Sequence, residues 1–318
     1  MSPGSESIPA SVREDLQRLV QLVRAQRGEL QGLTQVTEGS ASDPLPAAVS
    51  QWLYQNWYCA LPSPDNVSFQ ITLQIEGDLA AALRAAVAGS QRWLPNWVVL
   101  GTAASGACVA GRRGETRELK CGEYASIYRP GLPVAPGDAV AVMECLDWVD
   151  AASGFWTTRS RFGHPVAPMS RFYVSVDVEA GFQALTSATT ALDGLEVPYS
   201  LKCPVRAADF ARTDSLIIYV ERRHLPVTRK ALVTGLETSR LRPFSPPLTK
   251  RLRPGLSMAD DFAVNESFGQ NRCNALAVPL AEAVRSNRLE RFSVRSCLAG
   301  LRRSSIDPQR PWVCRTAR

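Results

Sequence analysis

Three short runs decide the fold: Arg171-Phe-Tyr-Val-Ser-Val-Asp, Pro198-Tyr-Ser-Leu-Lys-Cys-Pro and Ser215-Leu-Ile-Ile-Tyr-Val. The first and third are dense in β-branched and aromatic residues and read as strands. The second reads as a strand ending at Lys202. Between the first two, residues 179–193 space their apolar side chains as a helix does. Strand, helix, strand and strand therefore follow one another without a strict βαβ repeat, which predicts an α+β fold.

Downstream, a helix is expected over 227–239 and two more over 272–286 and 289–302. The Pro/Arg/Gly-rich stretch from Arg242 to Asp261 reads as a functional loop. Upstream, residues 11–37 carry Val12, Leu16, Leu19, Val20, Val23, Leu30 and Leu33 at near-helical spacing. A second helix holds Val49, Trp52, Leu53, Trp57 and Tyr58. Residues 68–75 alternate as a strand, 78–91 read as a helix, and 97–156 alternate short apolar runs with Gly/Pro turns, a mostly β segment.

The chain has 318 residues, 45% apolar and 21% charged, the composition of a globular protein with a real core. No apolar run reaches the roughly 18 residues that span a bilayer, and the first residues lack a basic stretch followed by an apolar block. Both point to the cytoplasm and away from a membrane. Eight cysteines are scattered without a CxxC, and the two histidines, His164 and His224, do not pair with them at metal-ligand spacing. A zinc site is disfavoured, the cysteines read as small buried apolar residues, and the sequons at Asn66 and Asn265 read as chance matches. No Gly-rich phosphate loop supports nucleotide binding, so no cofactor is expected.

The net charge of +6 hides a split. Residues 1–158 hold 11 Lys+Arg against 16 Asp+Glu, whereas residues 159–318 hold 25 against 14. An acidic helical and β region, 1–158, would therefore precede a basic domain, 159–318, suited to an anion. A nucleic acid is disfavoured, because no aromatics interleave with the basic loop and no known motif is present.

Only four of the 36 cationic residues are lysines: Lys120, Lys202, Lys230 and Lys250. Arginine cannot deprotonate in a protein, whereas a desolvated lysine can become a general base. Lys202, at an apolar strand end among other cations, is the best candidate, with desolvation expected to lower its pKa. A surface lysine is the plain alternative. Arg171, Arg206, Arg212, Lys250, Arg251, Arg253 and Arg272 each stand beside Gly, Pro or apolar residues, and converging guanidinium forks would hold a phosphate dianion. His164, in Phe-Gly-His-Pro, is a candidate general acid or a surface residue. No Ser-His-Asp order, paired carboxylates or HExxH appears.

Arg171-Phe-Tyr-Val-Ser-Val, Pro198-Tyr-Ser-Leu-Lys-Cys-Pro and Phe210-Ala-Arg-Thr-Asp-Ser-Leu-Ile-Ile-Tyr-Val resemble the Hop-type (HopA-like) effector family of plant-pathogenic bacteria. So do Leu248-Thr-Lys-Arg-Leu-Arg-Pro-Gly-Leu and Glu266-Ser-Phe-Gly-Gln-Asn-Arg-Cys, with a fainter echo in Trp52-Leu-Tyr-Gln-Asn-Trp-Tyr-Cys. The resemblance spans roughly residues 50–290. Actinobacterial proteins of this kind are similar to the stand-alone lyase component of class V lanthipeptide synthetases. The resemblance implies β-elimination of phosphate from phosphoserine or phosphothreonine in a precursor peptide, giving dehydroalanine or dehydrobutyrine. It also implies a separate kinase and a separate cyclase as partners. By motif position Lys202 matches the base, Arg212 and Tyr219 the phosphate-side residues, and Arg171 a basic residue on the earlier strand. The acid position is occupied by Tyr173 instead of a histidine, so Tyr173 or His164 would donate the proton. Lys250, Arg251, Arg253 and Arg272 would complete the anion clamp. Two other readings stay open: a non-catalytic phosphopeptide or partner-binding adaptor, and an injected effector acting on host phosphoproteins.

Overall fold

Each strand of the basic half alternates its side chains between two faces, and both faces find helices to pack on. The computed structural model describes residues 8–36, 43–62, 79–87, 91–261 and 266–314. The strand expected over 68–75 and the sequon asparagines Asn66 and Asn265 lie outside the described residues. Numbering strands along the chain, seven form an antiparallel sheet in the order β11 (Lys250–Arg253), β12 (Leu256–Asp260), β8 (Met169–Val174), β10 (Leu216–Glu221), β9 (Tyr199–Pro204), β7 (Phe155–Arg159) and β6 (Asp147–Asp150). A second antiparallel sheet of five follows the order β3 (Glu115–Leu119), β2 (Cys108–Arg112), β1 (Gln91–Thr102), β5 (Ala139–Cys145) and β4 (Tyr124–Ser126). It has its own small core around Trp97, Val99, Val140 and Val142. With its helices the chain is α+β, as its sequence predicts.

One face of the large sheet is sealed. Trp156, Phe172, Val174, Leu201, Leu216, Ile218 and Val220 pack on helix α5 (Val178–Asp193) and helix α6 (Leu225–Gly235), with Leu83 of α4 (Leu79–Ala86) joining them. Each fully buried side chain of this size adds roughly 1.5–3 kcal/mol relative to exposure. Helix α5 starts where Asp177 accepts the Ala180 amide at 2.8 Å, an N-cap that fixes the chain's exit from the sheet.

The other face is covered only in part, by helices from both ends of the chain. Tyr173, Ile217 and Ala259 share a core with α1 (Ala10–Ala25), α3 (Leu45–Leu53), α7 (Phe268–Arg285) and α8 (Val294–Arg303). Between α1 and α3 the chain forms α2 (Arg27–Val36), and after α3 a π-helical turn, Tyr54–Tyr58, brings Trp57 and Tyr58 into that core. The expected division after residue 158 falls within β7, and the early helices share this core with the late ones.

Two expectations are corrected. Residues 250–260 are a hairpin that extends the sheet, not a loop. The Pro254-Gly255 turn closes it, with Gly255 at a φ of 76° and no room for a Cβ, which would fall 2.6 Å from that of Leu241. The whole of β12 is buried against β8. The strand carrying Lys202 does not end there but runs on to Pro204, placing Lys202 in its interior. Among the described residues no helix is long and apolar enough to cross a membrane.

Gly269 in the first turn of α7 touches the Tyr58 ring, and an added Cβ would lie 2.7 Å from its Cζ. Gly269→Ala is expected to force the Tyr58 turn off α7 and destabilise the protein by about 1–3 kcal/mol, read as a lower thermal midpoint.

Candidate active site

Cross-strand register puts the sequence-predicted residues on the partly open face. One rung reads Trp148, Thr157, Lys202, Ile217, Tyr173, Ser257. The next reads Arg159, Ser200, Tyr219, Arg171, Ala259. Residues opposite one another in antiparallel strands project to the same side. The early helices and α7 bury the Tyr173 and Ala259 ends of these rungs. Lys202 is the one partly exposed position of β9, Tyr219 the one partly exposed position of β10, and Trp148 stands in the open.

Within this open half, cations and rings alternate. The Arg171 Cζ sits 5.2 Å from the Tyr219 ring centroid, and the Lys202 Nζ lies 5.7 Å from the same centroid. Lys202 is also 4.9 Å from the Phe155 ring, and the Arg212 Cζ is 5.4 Å from that ring. Three cations thus share two aromatic rings at cation–π range. Arg212 is placed by the first half of the chain: it bridges Ala60, while the Thr213 amide donates to the Cys59 carbonyl at 2.8 Å.

Both arginines carry their own carboxylate. Arg171 is buried and pairs with Asp261 through Nε and Nη2; Arg212 pairs with the buried Asp214, and its Nη2 reaches Cys59 Sγ at 3.1 Å. Burial works against both guanidinium charges. It is outweighed at Arg171 by Tyr173, Tyr219 and Asp261, and at Arg212 by Asp214, so both are held above the ordinary arginine value. Neither Nη1 has a partner among the described residues. Lys202 differs: no carboxylate lies within ion-pair distance of it among the described residues. Its charge is felt by exposed Asp150, whose carboxyl is held below the usual range first by the Ser153 hydroxyl and amide.

The structure separates several expected residues from this group. Tyr173 is buried under Phe268, its hydroxyl facing that of Tyr58, and burial pushes its phenol upward. It is closed off from the open face and is not placed to act as the acid. His164 lies in the exposed loop after β7. Lys250, Arg251 and Arg253 are on β11, four strands from β9, or about 19 Å at the usual strand spacing. Arg251 pairs with Glu14 and Asp15, and Arg253 donates to the Val233 and Leu236 carbonyls near the end of α6. Arg206 is exposed and pairs with Asp209. Arg272 is fully buried, stacks on Phe268 at 4.4 Å, and donates to the Pro311 carbonyl at 2.8 Å; burial pulls its pKa down to about 10. It anchors the C-terminal segment and is no part of an anion clamp. Sequence reasoning missed Phe155, which carried no signal, and Asp214. Asp214 stands two residues on from Arg212, in the turn before β10, close enough in sequence to have been weighed as its counter-charge.

The HopA1 effector protein family model matches residues 152–313, from just before β7 to beyond α8. It spans half of the chain, and the chain belongs to this family. The five-stranded sheet lies outside the match. Among solved structures, the effector protein from Pseudomonas syringae pv. tomato strain DC3000 is similar at 12% identity and a TM-score of 0.47, over 93% of this chain and 100% of that one. The effector protein from Pseudomonas syringae pv. syringae strain 61 is similar at 14% identity and a TM-score of 0.48, over 96% and 98%. No curated protein sequence matches.

Arg272→Gln is expected to cost about 2–3 kcal/mol by leaving the Pro311 carbonyl and its neighbours short of a charged donor. The thermal midpoint should fall; an unchanged midpoint would mean that the Pro311 contact does not hold the C-terminal segment in place.

Proposed function

We propose that this protein is a phosphoserine/phosphothreonine lyase acting on a phosphorylated precursor peptide in lanthipeptide biosynthesis, alongside a separate kinase and cyclase. The reading rests on one observation: Lys202 is the unpaired member of a chain of three cations on two rings. It stands on the open half of a sheet face whose other half is sealed. Family membership and the motif positions of Lys202, Arg212 and Tyr219 support it.

In this mechanism the phosphate is held by the Nη1 groups of Arg212 and Arg171, whose remaining donors are occupied by Asp214 and Asp261. A guanidinium tied on one side by a carboxylate is fixed in orientation and offers its free edge to the ligand. Neutral Lys202 takes the Cα proton. The Cα–H electrons form the Cα=Cβ bond, the Cβ–O bond breaks, and phosphate departs with that electron pair. Tyr219, part exposed with its ring between the charges of Arg171 and Lys202, is the phenol substrate can reach, and it takes over the donor role that Tyr173 is too buried to fill. The arginine field stabilises the charge developing on the departing phosphate. The paired carboxylates moderate that field.

A phosphopeptide-binding adaptor is the second reading, favoured by the same carboxylates, which leave less net positive charge around Lys202 than the sequence suggests. One experiment separates the two. Mass spectrometry of a phosphorylated precursor peptide should show loss of phosphoric acid with the unaltered protein and a fall of about 10²-fold or more with Lys202→Ala. Arg212→Lys should lower kcat/KM roughly 10- to 100-fold through the lost fork. Tight peptide binding without any loss of mass, with kinase and cyclase present, would select the adaptor.

A further inference from the structure

The far edge of the large sheet holds a second group of arginines. A cavity of about 550 Å³ opens beside β11, lined by Arg18, Arg251 and Arg253 and walled by Pro62, Pro243, Phe244, Leu252 and Pro254. Three prolines stand in its rim, and the adjoining Gly255 admits no side chain. The three guanidiniums are not equally satisfied. Arg251 has Glu14 and Asp15. Among the described residues Arg253 has the carbonyls of Val233 and Leu236 and no carboxylate. Arg18 has no carboxylate within ion-pair distance among the described residues, and its Nη2 is buried without any acceptor. Beside the cavity wall, Arg242 also buries Nε and Nη1 without acceptors.

A buried guanidinium donor left unpaired is costly, and such a group is ordinarily met by protein, ordered water or a bound ion. Asp15 offsets part of the Arg18 charge but is not within ion-pair distance of it; its oxygens accept from the Leu248 amide at 2.9 Å and from Arg251 at 2.7 Å. Arg18 and Arg253 therefore line the cavity without a carboxylate at ion-pair distance among the described residues, and the Arg18 Nη2 lies buried behind that lining. The volume falls in the range of small-molecule sites, roughly 300–1,000 Å³, and exceeds what a bare phosphate fills. The apolar wall of Phe244 and prolines suits a flat or apolar body attached to the anion.

We propose that this cavity is a second anion site, built for a phosphate monoester carried on an apolar body, with Arg18 as its principal donor. It is four strands away from Lys202 and does not depend on whether Lys202 eliminates phosphate. Two sources supply that chemistry: a second phosphorylated residue of a multiply phosphorylated peptide, or a nucleoside monophosphate.

The test is a titration of the full chain with inorganic phosphate, followed by phosphorus NMR, on the unaltered protein, Arg18→Gln, Arg18→Lys and Lys202→Ala. Two binding sites per chain are expected. Arg18→Gln should remove one of them, weakening it at least ~10-fold, Arg18→Lys should keep it in weaker form, and Lys202→Ala should leave it intact. Circular dichroism checks that each variant is folded, and the lysine variant guards against a simple packing loss. Equal stoichiometry and affinity in Arg18→Gln, or loss of all phosphate binding in Lys202→Ala, would overturn the site. Companion titrations assign the source. An Arg18-dependent gain of a doubly over a singly phosphorylated peptide points to the peptide, and Arg18-dependent binding of AMP points to the nucleotide.

Discussion

An antiparallel sheet gives every strand two faces, and a strand in its middle must bury both or leave part of one to solvent. That constraint organises this protein. The face made by Phe172, Leu201, Ile218 and their neighbours is closed by α5 and α6. The opposite face is long enough to need helices from both ends of the chain, and these stop short of β9, β7 and β6. Lys202, Tyr219 and Phe155 stand where the cover ends. The site is thus the uncovered part of a core face, and its rigidity comes from strands whose other side is fully packed.

The electrostatics follow from the same burial. A guanidinium set into a sheet needs a counter-charge, and Arg171 and Arg212 each have one. The cluster is less positive than a count of cations implies, and its donors are better oriented. Lysine without a carboxylate then becomes the distinctive member. At the far edge the same logic runs in reverse: of the three arginines around the cavity, Arg251 has a counter-charge within ion-pair distance among the described residues, and Arg18 and Arg253 do not.

Much of this was legible in the sequence. The strands at 171–176 and 215–220 declared themselves through apolar, β-branched density, and Lys202 through the scarcity of lysine among arginines. Their convergence follows from alternation once the strands pair. What was not legible depends on distant parts of the chain. Arg212 is positioned by residues 58–60, far off in sequence, and Arg272 is drawn inward by carbonyls of the C-terminal segment. The Arg/Pro composition of 242–261 masked a hairpin, because a charged strand at a sheet edge looks like a loop. Its Pro-Gly pair was the signal to weigh. Tyr173 was placed correctly on its strand, but nothing local says that Phe268 covers it.

In the proposed elimination a lysine amine removes a Cα proton as phosphate leaves. That step is tested most directly with a precursor peptide carrying α-deuterated phosphoserine. Each phosphate released should take the deuterium off the peptide, turnover should slow relative to the undeuterated peptide, and both effects should vanish with Lys202→Ala because release itself stops. Release of phosphate with the deuterium retained and a serine regenerated would mean hydrolysis, and would contradict it.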